Sequence, residues 1–295
     1  MLKRTLGRTG IEVSALGFGA EPIGRRGVSA GTAANLLNAL LDEGINVIDT
    51  ASAYGDSEDY IGRALAHRRD EFTLVTKCGW TDDWQPARSP RQLAASIDRS
   101  LQRLRVDSVD VLLLHGSPLD ELKTGEAIAA LEKARKQGKT RFIGISDDNE
   151  TLAYSVGLEV FDVIETTFNI CDQANARTIV EADRRRLGVL IKRTIANAVP
   201  GRTAKPARPY ARQYWPRWQT MNIDKSAIGD LPWLETALRF ATFAPGAHCA
   251  LVGSASLEHI RRNIRSAEKG PLDHSAVNLL QRAFLNTGKT WPALR

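Results

Sequence analysis

The chain has 295 residues, 43% of them hydrophobic and 25% charged, which suits an ordinary globular protein with a sizeable core and excludes a disordered or fibrous one. Lysine and arginine outnumber aspartate and glutamate 40 to 34, but nearly all of that excess is local, because Pro200 to Gln219 holds Arg202, Lys205, Arg208, Arg212 and Arg217 and no acid. The polar start MLKRTLGRTG, and the lack of any apolar run near the ~20 residues of a spanning helix, argue against a secretory signal and a membrane anchor, so a cytoplasmic location is expected.

Strand-like runs alternate with amphipathic stretches along the chain. VSALGF comes first, followed by TAANLLNALLDEG, whose Leu36, Leu37, Leu40 and Leu41 share one side at helical spacing. NVID and TLVTK are the next strands. SPRQLAASIDRSLQRL reads as a helix with Ser89 as N-cap, Pro90 as its first residue, and Leu93, Ile97, Leu101 and Leu104 facing inward. DVLLLH, RFIGIS, FDVIE, GVLIK and CALVG bring the strands to eight, and HSAVNLLQRAFLN is a C-terminal helix expected to lie against them. Near-continuous apolar strands covered by helices imply a parallel sheet, and eight βα units favour a closed (β/α)8 TIM barrel over an open doubly wound sheet. No GxGxxG turn follows the first strand, so a Rossmann reading lacks its phosphate loop. No low-complexity linker interrupts the alternation, and residues 1–295 read as one domain. Cys78, Cys171 and Cys249 are odd in number and far apart, which argues against disulfides and paired metal ligands; buried thiols and no metal site are expected.

Four groups with proton-transfer chemistry fall at or just beyond the carboxyl ends of these runs, where a parallel barrel places its active site: Asp49 and Tyr54 in INVIDTASAYG, Lys77 in TLVTKCG and His115 in DVLLLHG. A tyrosine hydroxyl, with an ordinary pKa of about 10, releases a proton near neutral pH only with help. A positive charge about 4 Å away, at an effective dielectric of about 20, favours the phenolate by up to about three pH units, so Lys77 is expected to lower Tyr54 while Asp49 keeps Lys77 charged. His115 would hydrogen-bond a substrate carbonyl oxygen and fix its direction. Singly, each residue reads more readily as a cap, a solvated charge or a core side chain than as a catalyst; the ordered set is far more specific.

With these motifs the chain resembles the aldo-keto reductases, nicotinamide-dependent carbonyl reductases built on a (β/α)8 barrel. LGRTGIEVSALGFGA (Leu6 to Ala20) is similar to the family's short N-terminal β-hairpin leading into the first barrel strand, INVIDTASAYG to its aspartate and tyrosine signature, and TRFIGIS to its fifth strand. By position, the resemblance puts the family's catalytic tetrad on Asp49, Tyr54, Lys77 and His115.

The same resemblance implies a bound nicotinamide nucleotide and shows where this chain departs from the pattern. Ser146 matches the serine that contacts the carboxamide, but the usual asparagine and glutamine are replaced by Asp147 and Glu165, so two donors have become acceptors. On the seventh strand, in place of an aromatic ring, stand Lys192 and Arg193. Lys192 is expected to pair with Glu165 or Asp147, because an unpaired buried charge is expensive. At the adenosine end the family's lysine is replaced by Gly253, while Ser254, His259, Arg262 and Asn263 remain as contacts, with Arg262 suited to a 2′-phosphate. NADP(H) is therefore favoured over NAD(H). Arg261 reads as an exposed helix residue.

Interleaving of the basic segment with Tyr210, Tyr214, Trp215 and Trp218 would suit single-stranded nucleic acid. Its place after the seventh strand favours contact with the nucleotide phosphates instead, or a solvated loop. For substrate, Phe18, Trp80 and Glu21 are candidate pocket residues, Trp84 could line the pocket or pack in its loop, and Gly116 stands where relatives often carry tryptophan, which would widen the pocket. The expected partner is a small carbonyl or alcohol substrate, with no nucleic acid and no membrane. The expected reaction is reduction of an aldehyde or ketone; alcohol or sugar oxidation on the same residues, and a non-catalytic nucleotide sensor, are the alternatives.

Overall fold

The computed structural model describes residues 1–25 and 27–294. Its strands are β1 (Lys3–Thr5), β2 (Glu12–Ser14), β3 (Leu16–Gly19), β4 (Val47–Asp49), β5 (Thr73–Cys78), β6 (Val109–His115), β7 (Thr140–Ser146), β8 (Val163–Thr167), β9 (Gly188–Lys192) and β10 (Cys249–Val252). β3 to β10 pair in parallel and in sequence order, and β10 closes on β3, so the sheet is the expected eight-stranded barrel. β1 and β2 form an antiparallel hairpin that carries Leu6 and Val13 into contact with the barrel's interior layer of Val47, Val75, Val111, Val163, Leu190 and Leu251. Each such side chain, once buried, contributes about 1.5–3 kcal/mol, and the hairpin thereby covers one end of the barrel.

The run VSALGF divides between two sheets. Ser14 ends β2 because its N–H donates to Asn46 Oδ1 at 2.6 Å and its hydroxyl donates to the Leu16 carbonyl at 2.6 Å, which turns the chain before β3 begins. Strand parity also corrects an expectation about Phe18. A Cβ on Gly17 would meet Cys249, Leu251 and Val47 inside the barrel, so Gly17 faces inward and Phe18, fully buried, packs outward against the helical layer rather than lining a pocket.

The outer helices follow their sequence signals. Ser89 caps the helix Pro90–Leu104 in a reciprocal box with Gln92, and Leu93, Ile97 and Leu104 are buried, with Leu101 partly so. Ser29 caps the helix Ala30–Asp42, its side chain accepting from the Thr32 N–H. The last helix, His274–Gly288, buries Leu280 and Phe284. Among the described residues no helix is long and apolar enough to cross a membrane. All three cysteines are buried and unbridged; Cys78 points into the helical layer, away from Lys77, and burial pushes its thiol up to about 12.

Candidate active site

Parallel pairing brings the polar strand ends to one rim. Asp49 ends β4, Lys77 is next to last in β5, His115 ends β6, Ser146 ends β7 and Lys192 ends β9. Register sets His115 beside Ser146, Ser146 beside Glu165, and Thr167 beside Lys192. Lys77 is fully buried; its Nζ donates to Asp49 Oδ1 at 2.5 Å, to Asp49 Oδ2 at 2.6 Å and to the Thr50 carbonyl at 3.0 Å. Tyr54 lies on the turn after β4, with the Lys77 ammonium 5.2 Å from its ring centre and the His115 ring meeting it edge-on at 5.8 Å. The four residues picked out by sequence position do converge.

Electrostatics at Tyr54 run opposite to the expectation. Burial raises its hydroxyl above the ordinary tyrosine range, and Asp49, Glu165 and Glu21 add to that, so the favourable pull of Lys77 is outweighed. Without a bound ligand the phenol is therefore a weaker acid than an ordinary tyrosine.

The strand ends next to this group carry a continuous chain of charge. Glu165 Oε2 lies 3.2 Å from Lys77, so one ammonium serves two carboxyl groups. Glu165 Oε1 accepts from Ser146 Oγ at 2.9 Å, and Ser146 Oγ in turn accepts from Lys192 Nζ at 3.1 Å. The direct ion-pair partner of Lys192 is neither Glu165 nor Asp147 but Asp148, at 3.4 Å. That corrects the expectation by one position, because Asp147 is held elsewhere: its Oδ2 accepts from the Ser117 N–H and its Oδ1 from the Asp148 N–H, both at 2.8 Å, tying the turn after β7 to the turn after β6. Asp148, unnoticed in the sequence, accepts from Thr166, from the Thr167 N–H and from Asn175. Although burial opposes it, Lys192 and these donors hold its carboxyl below the usual range.

Aromatic rings crowd the other side. Trp84, in the left-handed region at φ 60°, sets its ring 5.4 Å from His115, 6.3 Å from Tyr54 and 5.9 Å from Trp80. Trp80 donates from its indole nitrogen to the His115 carbonyl. A Cβ on Gly116 would lie 3.8 Å from that nitrogen, so Trp80 occupies room next to Gly116 that a larger side chain would contest. Glu21 is partly buried and adds negative potential at Tyr54.

The segment read as a basic loop is half helix. Pro209–Met221 is helical; Tyr214, Arg217 and Trp218 are buried, and Arg202, Lys205, Arg208 and Arg212 are exposed. Buried rings cannot stack on bases, which removes the aromatic half of a nucleic-acid reading at those two positions. Arg217 pairs with Asp172 at 3.1 Å and donates to the Pro292 carbonyl at 2.6 Å. Arg193, expected beside the nicotinamide, donates to the Leu294 carbonyl at 2.5 Å instead. Together with the Asn149 side chain, which both accepts from Ala293 N and donates to its carbonyl, these contacts bind the C-terminal tail across the ends of β7 to β9. After β10, Ser256 caps the helix Leu257–Glu268. Gly253 is exposed at the start of that loop, and a Cβ there would lie 2.9 Å from the Gly19 carbonyl. Ser254 lies 3.4 Å from His259, Arg262 is exposed and Asn263 partly buried, while Arg261 pairs on the surface with Glu43 at 2.7 Å.

This rim suits a nicotinamide nucleotide in one concrete respect: Glu165 Oε2 is a buried acceptor with no aligned hydrogen-bond donor, beyond its ionic contact with Lys77, and so can receive an amide NH2.

Comparison with known proteins agrees with the geometry. The profile of the Aldo/keto reductase family matches residues 15–191. An uncharacterized oxidoreductase of Bacillus subtilis, YqkF, is 25% identical over 95% of this chain and 96% of its own length. L-galactose dehydrogenase of Arabidopsis thaliana is 40% identical over 48% of this chain, and the NADH-specific methylglyoxal reductase of Escherichia coli 30% identical over 59%. The chain spans about half the length of the first of these two, 47%, and 61% of the second. Among solved structures, the holo form of an aldo-keto reductase from Bacillus halodurans superposes with a TM-score of 0.84 at 25% identity, covering 96% of each chain. A barrel of this order with these matches defines an NAD(P)-dependent oxidoreductase. The chain belongs to the aldo/keto reductase family.

Proposed function

We propose that this chain reduces a small aldehyde or ketone, with Tyr54 as the proton donor to the carbonyl oxygen. The observation that carries this reading is the convergence of Tyr54, Lys77, Asp49 and His115 on one rim. When bound, the nicotinamide supplies the hydride. His115 orients the carbonyl oxygen, Tyr54 gives its proton to the alkoxide that forms there, and Lys77, fixed by Asp49, stabilises the resulting phenolate. Trp80 and Trp84 wall the substrate side, with Glu21 at its edge.

Ser146 and Glu165 are the proposed contacts to the carboxamide, with Asp147 shaping the turn behind them. Ser254, His259, Arg262 and Asn263, on the turn and helix after β10, are the proposed adenosine-end contacts, with Gly253 keeping that turn open. The exposed Arg262 guanidinium supports a preference for NADPH over NADH, since it can bind a 2′-phosphate bidentately. Oxidation of an alcohol or a sugar on the same groups is the second reading, supported by the 40% identity with L-galactose dehydrogenase over its matched half.

The test follows nucleotide absorbance in both directions with small aldehydes, methylglyoxal and aldoses, for the native chain and Arg262→Ala. The proposal expects turnover, and an Arg262→Ala affinity for NADPH weakened about tenfold or more with NADH unaffected. Nucleotide binding without turnover of any substrate would favour a sensor and end the reductase reading.

A further inference from the structure

A carboxamide is read by an acceptor for its NH2 group together with a donor for its carbonyl. The rim from β7 to β9 is rich in the first and poor in the second. Ser146 commits its hydroxyl proton to Glu165 Oε1, at 2.9 Å, and one lone pair to Lys192. Both carboxylate oxygens of Asp147 accept backbone N–H groups. The Thr166 hydroxyl donates to Asp148, and the Asn175 amide donates to Asp148 and to Thr166. Glu165 Oε2 is a buried acceptor. These side chains offer lone pairs, but their protons are already placed.

Lys192 differs from them. Its ammonium has three N–H donors; Ser146 Oγ, at 3.1 Å, takes one and Asp148 Oδ2, at 3.4 Å, attracts another. The third remains, on a side chain that is 22% exposed. Lys192 ends β9 two residues beyond Leu190, which packs inside the barrel, so strand alternation turns the lysine to the same inner face. Register pairs Leu190 with Glu165 and Lys192 with Thr167, which brings the ammonium to the rim one step above Glu165. The two charges do not collapse on each other, because Lys192 is paired with Asp148, Glu165 lies 3.2 Å from Lys77, and the Ser146 hydroxyl stands between them.

We propose that Lys192 is the donor to the carbonyl of the nicotinamide carboxamide, opposite Glu165 as acceptor of its NH2 group. The proposal rests on the reading that Ser146 and Glu165 meet the nicotinamide. This chain then reads the amide with a lysine and a carboxylate on either side of one hydroxyl. A nucleotide that lacks a good carbonyl acceptor leaves an ammonium proton unmatched, and a site built around a charged donor discriminates against such a ligand.

Calorimetric titration of the native chain and of Lys192→Met tests the assignment. NADPH, or NADH if that binds more tightly, is compared with its counterpart without nicotinamide, 2′-phospho-ADP-ribose or ADP-ribose. Reduced nucleotides are the right probes because their neutral ring does not oppose Lys192. Loss of one charge-assisted hydrogen bond should weaken the nicotinamide nucleotide about tenfold or more in Lys192→Met while its counterpart stays within about twofold. An unchanged ratio of the two affinities overturns the assignment, whether both ligands weaken together or neither does. The native chain gives a second answer if the variant does not fold. The reduced thionicotinamide analogue, whose sulfur is a weak acceptor, should bind it at least about fivefold more weakly than the amide, and equal binding overturns the assignment as well. If the native chain binds neither the nucleotide nor its counterpart, the nucleotide reading itself falls; binding of both with an unchanged ratio removes Lys192 alone.

Discussion

Gly24 lies so close to Tyr54 that a Cβ on Gly24 would sit 1.8 Å from the Tyr54 carbonyl oxygen and 2.8 Å from the Ser57 nitrogen. The short helix Glu21–Arg25 therefore fixes the height of the turn that carries the phenol. Gly24→Ala must displace that turn. A misplacement of about 1 Å at a reacting group can cost about 100-fold in rate, so turnover should fall at least about tenfold while far-UV circular dichroism stays native. Unchanged turnover would show that the turn can shift without moving the hydroxyl.

Lys77 is the counter-ion of two buried acids. Lys77→Met leaves both without it, and unpairing a buried charge costs about 3–5 kcal/mol. Urea unfolding at pH 7 should show a loss of that order. Because protonation of both acids removes the penalty, the deficit should shrink as pH is lowered toward 4; a deficit independent of pH would point to lost packing instead.

The Lys192 and Asp148 contact is partly buried, with the lysine side chain 22% exposed. A double-mutant cycle with Lys192→Met and Asp148→Asn should give a coupling of about 1–3 kcal/mol in unfolding free energy. Additive effects would mean that Lys192 draws its support from Ser146 alone.

Asp172 accepts from the Leu294 N–H and pairs with Arg217, yet burial pushes its carboxyl up to about 6. Its native pKa thus lies above the unfolded value, and between about pH 4 and 6 the native state binds a proton that the unfolded chain has lost. Stability from this group is therefore greatest below that window and falls as pH rises through it, by about 2 kcal/mol from pH 4.5 to 7. Asp172→Asn lacks this term, so the native chain's stability relative to the variant should be greater at pH 4.5 than at pH 7. The reverse order would mean that Arg217 dominates and holds the carboxyl low.

Much of this rim can be read from sequence because most of its groups end, nearly end or follow a strand, and parallel strands of a barrel share one carboxyl end. Asp49, Tyr54, Lys77 and His115 needed nothing more. What failed depended on side-chain direction or on distant contacts. Its sequence position puts Phe18 near the pocket, but strand alternation turns it outward beside the inward Gly17. In the pair Asp147 and Asp148, adjacent carboxylates point to different partners, and only coordinates show which one meets Lys192. The contact of Glu165 with Lys77 joins β8 to β5, strands that share no ladder, so no local pattern announces it. The terminal WPAL carries no periodic signal, and its seat is set by Asn149, Asp172, Arg193 and Arg217, far away in sequence.

The most direct test of the account compares the native chain with Tyr54→Phe, first in fluorescence titrations with NADPH and NADH, then in turnover on the aldehyde and aldose panel. The account predicts that both proteins bind reduced nucleotide, NADPH more tightly, and that Tyr54→Phe loses at least about 100-fold in turnover, the usual worth of a positioned proton donor. Failure of either nucleotide to bind the native chain, or a Tyr54→Phe rate close to native, would contradict it.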